Sequence, residues 1–145
     1  MTTKDFKGIF HRFLRSKGFA KKSTAYHLLY PEVDIILGLQ KSSYSDAYYI
    51  NVGYIFTTLS SNTDKCKYWD GHIRTRFYFT QNERETDLFT PDLLEENFLV
   101  ETLESNFTAY IESVKSVEAS KILLKKYPDM LLQTTIVAKN FLGFK

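Results

Sequence analysis

The sequence predicts an α+β domain: an N-terminal helix, a four-stranded antiparallel meander, and C-terminal helices packed on the sheet. Three observations predict it. Apolar residues recur at spacings of three and four near both ends of the chain but alternate with period 2 through its middle. The period-2 segments are mostly joined by links too short for a crossover helix, so consecutive strands run antiparallel. At 145 residues, 43% hydrophobic and 16% aromatic, the chain has the material for one well-filled core. A single domain over residues 1–145 is the expectation.

The elements follow in order. Thr3 is placed to cap a first helix whose buried stripe is Phe6, Ile9, Phe10, Phe13 and Leu14, with Gly18 suited to the left-handed residue that ends it. Lys21-Lys22-Ser23-Thr24 reads as a turn or ragged strand start before a first strand, Ala25 to Tyr30. Pro31-Glu32 turns the chain into a second strand, Val33 to Lys41, and the polar connector around Ser42-Ser43-Tyr44-Ser45-Asp46 leads to a third, Tyr48 to Phe56. A longer polar loop from Ser60 to Gly71 carries Cys66 and Trp69, and a fourth strand runs from His72 to Phe79. Glu83, Glu85 and Asp87 mark an acidic connector. Thr90-Pro91-Asp92 then combines a capping hydroxyl, a proline at the first helical position and an acid near the positive end of the helix dipole. The apolar stripe Leu94, Phe98, Leu103, Phe107, Tyr110, Ile111, Val114 continues from that start. Ser116 caps a further helix that Pro128 stops, and Met130 to Leu142 forms a last short helix closed by Gly143.

Four stretches carry a resemblance: Gly18-Phe19-Ala20-Lys21-Lys22, Leu39-Gln40-Lys41-Ser42, Tyr49-Ile50-Asn51-Val52-Gly53 and His72-Ile73-Arg74-Thr75-Arg76. In this order, after an N-terminal helix, the chain resembles a family of small bacterial proteins catalogued as a domain of unknown function. The resemblance spans nearly the whole chain and implies an α+β fold. It brings no activity and no catalytic residue.

Composition excludes several classes of function. The one cysteine precludes an internal disulfide, and three scattered histidines give no metal-ligand spacing, so neither metal nor cofactor is expected. The apolar runs are too short to span a bilayer and the N-terminus lacks an apolar signal core, which makes a cytoplasmic protein with no membrane association the expectation. A net charge of +2 hides a segregation: residues 1–30 hold seven Lys/Arg against one Asp, and residues 81–145 hold seven against eleven acids. Ends of opposite sign are expected to satisfy one another, which argues against nucleic acid as the partner. The chain has no glycine-rich phosphate loop, no Gly-x-Ser-x-Gly elbow, no His-Glu-x-x-His and no Cys-x-x-Cys.

The candidate site comes from strand alternation. Val33, Ile35, Leu37 and Leu39 share the apolar face with Ile50, Val52, Tyr54 and Phe56, leaving Gln40 and Asn51, and His72, Arg74 and Arg76 on the next strand, on the opposite face. Gly38 and Gly53 would open a shallow depression there, floored by backbone. Two arginines two residues apart present forked donors to a carboxylate or phosphate, and Trp69 and Tyr78 add flat aromatic surface. The expected function is therefore a noncatalytic binding module that recognises another protein or an acidic group through Gln40, Asn51, Trp69, His72, Arg74 and Arg76. In a second arrangement a C-terminal helix covers this face and Glu95, Glu96, Glu101 or Glu104 pairs with the arginines. Two other functions stand beside it: a small-ligand enzyme with His72 as proton carrier beside the arginine pair, and a weak nucleic-acid binder that tracks phosphate with the basic first helix, Lys21-Lys22 and the sheet arginines and stacks bases on tyrosines.

Overall fold

The computed structural model describes residues 1–144. Helix α1 (Thr3–Ser16) opens the chain, and its cap is Thr2, one residue before the position expected: the Thr2 hydroxyl accepts from the Asp5 amide at 3.1 Å while the Asp5 carboxylate accepts from the Thr2 amide at 3.3 Å. Gly18, at φ 93°, turns the chain out of the helix as the sequence implied. Four strands then build a meander: β1 (Ala20–Lys22), β2 (Ala25–Leu29), β3 (Val33–Lys41) and β4 (Tyr48–Phe56), each antiparallel to the last. The expected ragged start at Lys21-Lys22 is a paired strand, because Ser23 takes a φ of 59° and closes a two-residue turn between Lys22 and Ala25.

The expected fourth strand is interrupted. Of its span only Ile73–Arg76 pairs with β4, as β5, in the register Asn51 to Arg76, Gly53 to Arg74 and Tyr54 to Ile73. Beyond it the main chain of Tyr78 leaves the ladder to bond the buried Asn106 side chain, whose Oδ1 accepts from the Tyr78 amide at 2.9 Å and whose Nδ2 donates to the Tyr78 carbonyl at 2.7 Å. The acidic connector is in fact a second hairpin, β6 (Phe79–Gln81) with β7 (Arg84–Thr86), turned through Asn82 and Glu83 at φ 52° and 63°. Two successive left-handed residues are the signature of a type I′ turn. A glutamate in such a position gives no warning in the sequence. The short β8 (Leu88–Phe89) then returns to β4 at Tyr48 and Tyr49, beyond the end of β5.

Helical segments fill the rest of the chain. Thr90-Pro91-Asp92 starts a single 3-10 turn, Pro91–Leu93, and not the long helix: Leu94 breaks out in extended conformation to bury its side chain, and α2 (Glu96–Phe107) begins after it. A π turn, Thr108–Glu112, prolongs α2. Ser116 caps α3 (Val117–Lys126), its hydroxyl accepting from the Ala119 amide at 3.1 Å, and Pro128 stops it. The last helix is shorter than expected, since Pro128–Gln133 forms 3-10 turns and Thr135 caps α4 (Ile136–Leu142), which Gly143 ends at φ 82°.

The core lies between the apolar sheet face and the helices. Phe6, Phe10 and Leu14 of α1 and Leu99 and Leu103 of α2 pack with Ile35, Leu37, Val52 and Tyr54 of the sheet. On the opposite sheet face a smaller cluster, Ala25, Ile36 and Ile55, packs with Cys66 from the loop after β4. Glycine decides how that loop sits. A Cβ on Gly53 would collide with the Tyr68 carbonyl, and one on Gly38 would meet the Tyr68 ring, so both glycines are required by a backbone lying directly on the strands. The open depression expected at Gly38 and Gly53 is filled by Tyr68.

Candidate binding cleft

Below Tyr68, on the same face, the sheet opens into a cleft of about 660 Å³. Gln40 from β3 and Asn51 from β4 form its floor, and Arg74, Thr75 and Arg76 of β5 run along it. Glu85 and Asp87 approach from the second hairpin and the loop after it. Tyr110, Lys126, Tyr127, Asp129 and Gln133 close it from the helical side. The alternation of β3, β4 and β5 thus brings Gln40, Asn51, Arg74 and Arg76 to one face, as their spacing predicted.

The two arginines sit in different environments. Arg76 donates from Nε to Asn51 Oδ1 at 2.8 Å, from one terminal nitrogen to Asp87 Oδ2 at 3.0 Å and from the other to Gln40 Oε1 at 3.2 Å. Asn51 Nδ2 also donates to Gln40 Oε1 at 2.9 Å, and the guanidinium lies over the Tyr49 ring at 4.0 Å from its centroid. Arg76 is therefore fixed on every side. Arg74 is exposed and makes one long bond, 3.3 Å, to Gln133 Oε1.

Covering of this face by α2 does not occur. Glu104 pairs with Lys17 of α1 at 2.8 Å, and among the described residues Glu95, Glu96 and Glu101 make no ion pair with either arginine. The acid that does hold an arginine, Asp87, comes from the connector next to β8. Among the described residues the one direct ion pair between residues 1–30 and the acids of residues 81–145 is that of Lys17 with Glu104. Of the other basic residues in 1–30, Lys22 pairs with Asp64 in the loop after β4.

Tyrosines supply much of the remaining surface. Burial raises the pKa of Tyr78, with Asp87, Glu85 and Asp129 adding to the effect and Arg76 opposing it. Burial also raises that of Tyr110, helped by Tyr127, Tyr78 and Glu85. Both phenols consequently stay protonated at neutral pH and can donate a hydrogen bond. The Tyr110 and Tyr127 rings lie 5.4 Å apart, and Tyr54, buried in the core, donates its hydroxyl to the Tyr110 carbonyl at 2.6 Å. That bond fixes the π turn carrying Tyr110 against the sheet.

Two of the residues singled out in the sequence lie outside the cleft. Trp69 is exposed and packs edge-on against Tyr68 at 5.0 Å. His72 lies flat against Phe56, with ring centroids 5.9 Å apart, and its Nδ1 accepts the Phe56 amide hydrogen at 3.0 Å. Burial lowers the His72 pKa, in keeping with a neutral ring that accepts at Nδ1. Conversely, Tyr68, Tyr110, Tyr127 and Gln133 were not legible as site residues, because period and spacing place Tyr110 in a core stripe and Gln133 inside a helix. Nothing in their local sequence distinguishes them.

A protein-family model described as a domain of unknown function (DUF4304) matches residues 10–115. The matched stretch contains Gln40, Asn51, Arg74, Arg76, Tyr78, Glu85, Asp87 and Tyr110, while Lys126, Tyr127, Asp129 and Gln133 lie beyond it. No curated protein and no solved structure matches the chain.

Proposed function

The chain belongs to the DUF4304 family, a domain of unknown function, and we propose that it works as a noncatalytic binding module whose cleft takes a segment of another protein. The observation that carries this reading is the contrast between the arginines. Arg76 is held by three hydrogen bonds, to Asn51, Asp87 and Gln40, and by the Tyr49 ring beneath it, and acts as a rigid wall, whereas Arg74 keeps most of its donors for a ligand carboxylate. Glu85 and Asp129 make no ion pair or side-chain hydrogen bond among the described residues and can receive a cation across the same cleft. The preferred ligand therefore carries both charges and an apolar or aromatic surface for the tyrosines. A volume of about 660 Å³ suits a short segment, since ligand clefts commonly measure roughly 300–1,000 Å³. Against the enzyme reading, His72, the proton carrier it needs, does not line the cleft: its ring stacks on Phe56 and its Nδ1 is occupied by the Phe56 amide.

The test is a nuclear magnetic resonance titration with the blocked pentapeptide acetyl-Val-Glu-Val-Lys-Val-amide. Its glutamate and lysine fall on one face when extended. Shifts should concentrate on the Arg74 side chain and the rings of Tyr78, Tyr110 and Tyr127, and Arg74→Gln should weaken binding about tenfold, the value of one charge-assisted hydrogen bond. Shifts confined to other surfaces, or equal binding by the Arg74→Gln chain, would overturn the reading.

A further inference from the structure

The cleft follows an open strand edge. It is lined by three consecutive residues of β5, Arg74, Thr75 and Arg76, although neighbouring strand residues point to opposite faces. It also takes Gln40 and Asn51 from one side of the sheet and Tyr110 and Met130 from the helical side. Only a groove wrapped around the edge of β5 meets all of these at once.

The hydrogen-bond ladder shows which main-chain groups face that groove. The Phe77 amide donates to the Ile50 carbonyl at 3.0 Å, so with the register of β4 and β5 the inward-bonding residues of β5 are Ile73, Thr75 and Phe77. The main-chain groups of Arg74, Arg76 and Tyr78 point the other way, as does the His72 carbonyl, while the His72 amide donates inward to the Tyr54 carbonyl at 2.8 Å. The chain itself closes both ends of this outer edge. At one end Ile73 and Thr134 form an isolated antiparallel bridge in which the Thr135 amide donates to the His72 carbonyl at 2.8 Å, and the reciprocal position of such a bridge takes the Arg74 amide towards Gln133. At the other end Asn106 bonds both main-chain groups of Tyr78. Between them the Arg74 carbonyl and the Arg76 amide and carbonyl have no partner among the described residues.

From this gap we infer that the segment bound in the cleft is an extended peptide that adds to β5 as a short antiparallel strand. One peptide residue exchanges both of its main-chain hydrogen bonds with Arg76, and the amide two residues further along can reach the Arg74 carbonyl. The flanking side chains then fall alternately towards Arg74 and towards the tyrosines. Because Thr134 and Asn106 occupy the ends of the edge, only two or three peptide residues pair, and the remainder leaves through the open side of the cleft. The inference rests on the proposed binding function and specifies its ligand as peptide main chain.

The experiment compares the pentapeptide acetyl-Val-Glu-Val-Lys-Val-amide with a set of analogues, each N-methylated at one internal amide. Methylation removes a main-chain donor and leaves every side chain unchanged. At a free peptide concentration about ten times its dissociation constant, hydrogen exchange of the Arg76 amide should slow about tenfold, while at least one methylated analogue binds at least tenfold more weakly. Equal binding by every methylated analogue, or an Arg76 amide whose exchange is unchanged while the Arg74 side chain and tyrosine rings shift, overturns strand addition and leaves the binding cleft standing. Failure of all the peptides to shift the cleft overturns both.

Discussion

At the scale of single residues, Arg74 and Arg76 look equivalent in the sequence and differ in what surrounds them. Arg76→Gln removes two hydrogen bonds to neutral amides, one to Asp87 and a stacked contact with Tyr49, so a denaturant melt should show a loss of about 2 kcal/mol. Arg74→Gln should stay within about 0.5 kcal/mol, because an exposed side chain with one long bond contributes little. Equal losses would mean that Arg74 is also structural. The alternation of β3, β4 and β5 was enough to place Gln40, Asn51 and both arginines together, since a period-2 pattern fixes faces. It could not tell which arginine a neighbour would claim, because Asp87 reaches Arg76 only through the fold. His72 gives a pH signature. Its pKa is lowered in the folded state, so below the ordinary histidine value of about 6.5 the unfolded chain binds a proton that the folded chain resists. Its contribution to stability is complete above that pH and is lost as pH falls towards the folded-state value. In urea melts across this range, His72→Phe should flatten the decline relative to the unaltered chain; parallel pH profiles would contradict the assignment.

At the scale of elements, the sheet is positioned by glycines and one asparagine. Gly53→Ala forces a Cβ against the Tyr68 carbonyl and should cost about 2–3 kcal/mol as the 3-10 turn Tyr68–Asp70 is displaced. Gly38→Ala meets a ring that can swing aside and should cost less. The reverse order in thermal melts would show that Tyr68 is not held by its backbone. Asn106→Ala strips the Tyr78 amide and carbonyl of their partners, which should cost about 2 kcal/mol and speed amide exchange in β6 and β7. α1, β3, β4 and the Ser116 cap were legible because their signals are local: a helical stripe, strict alternation, a hydroxyl before a helix. The hairpin of β6 and β7 was not, since its turn places Glu83 at positive φ, and the true start of α2 was hidden because burial of Leu94 overrides the local signal at Thr90-Pro91.

At the scale of the whole molecule, the helices pack on one face of the sheet and leave a cleft that wraps around the outer edge of β5. No helix among the described residues is long and apolar enough to cross a membrane, and none of their His, Cys, Asp and Glu side chains group as a metal site. The helical wall of the cleft comes from the π turn after α2, the end of α3 and the turns after it, so the site depends on segments far apart in the chain meeting at β5. That dependence explains why tyrosines 110 and 127 read as core when taken along the sequence. What the cleft holds, on the proposed function, is a segment of another protein. A photo-crosslinking amino acid placed at Gln133 inside the cleft, with Lys7 on the exposed side of α1 as the control position, tests it in extract of the source cell. A cleft that holds such a segment gives one discrete crosslinked species from position 133, none from position 7, and loss of that species when Arg74→Gln is added; equal crosslinking from both positions, or a species indifferent to Arg74, would rule that binding out.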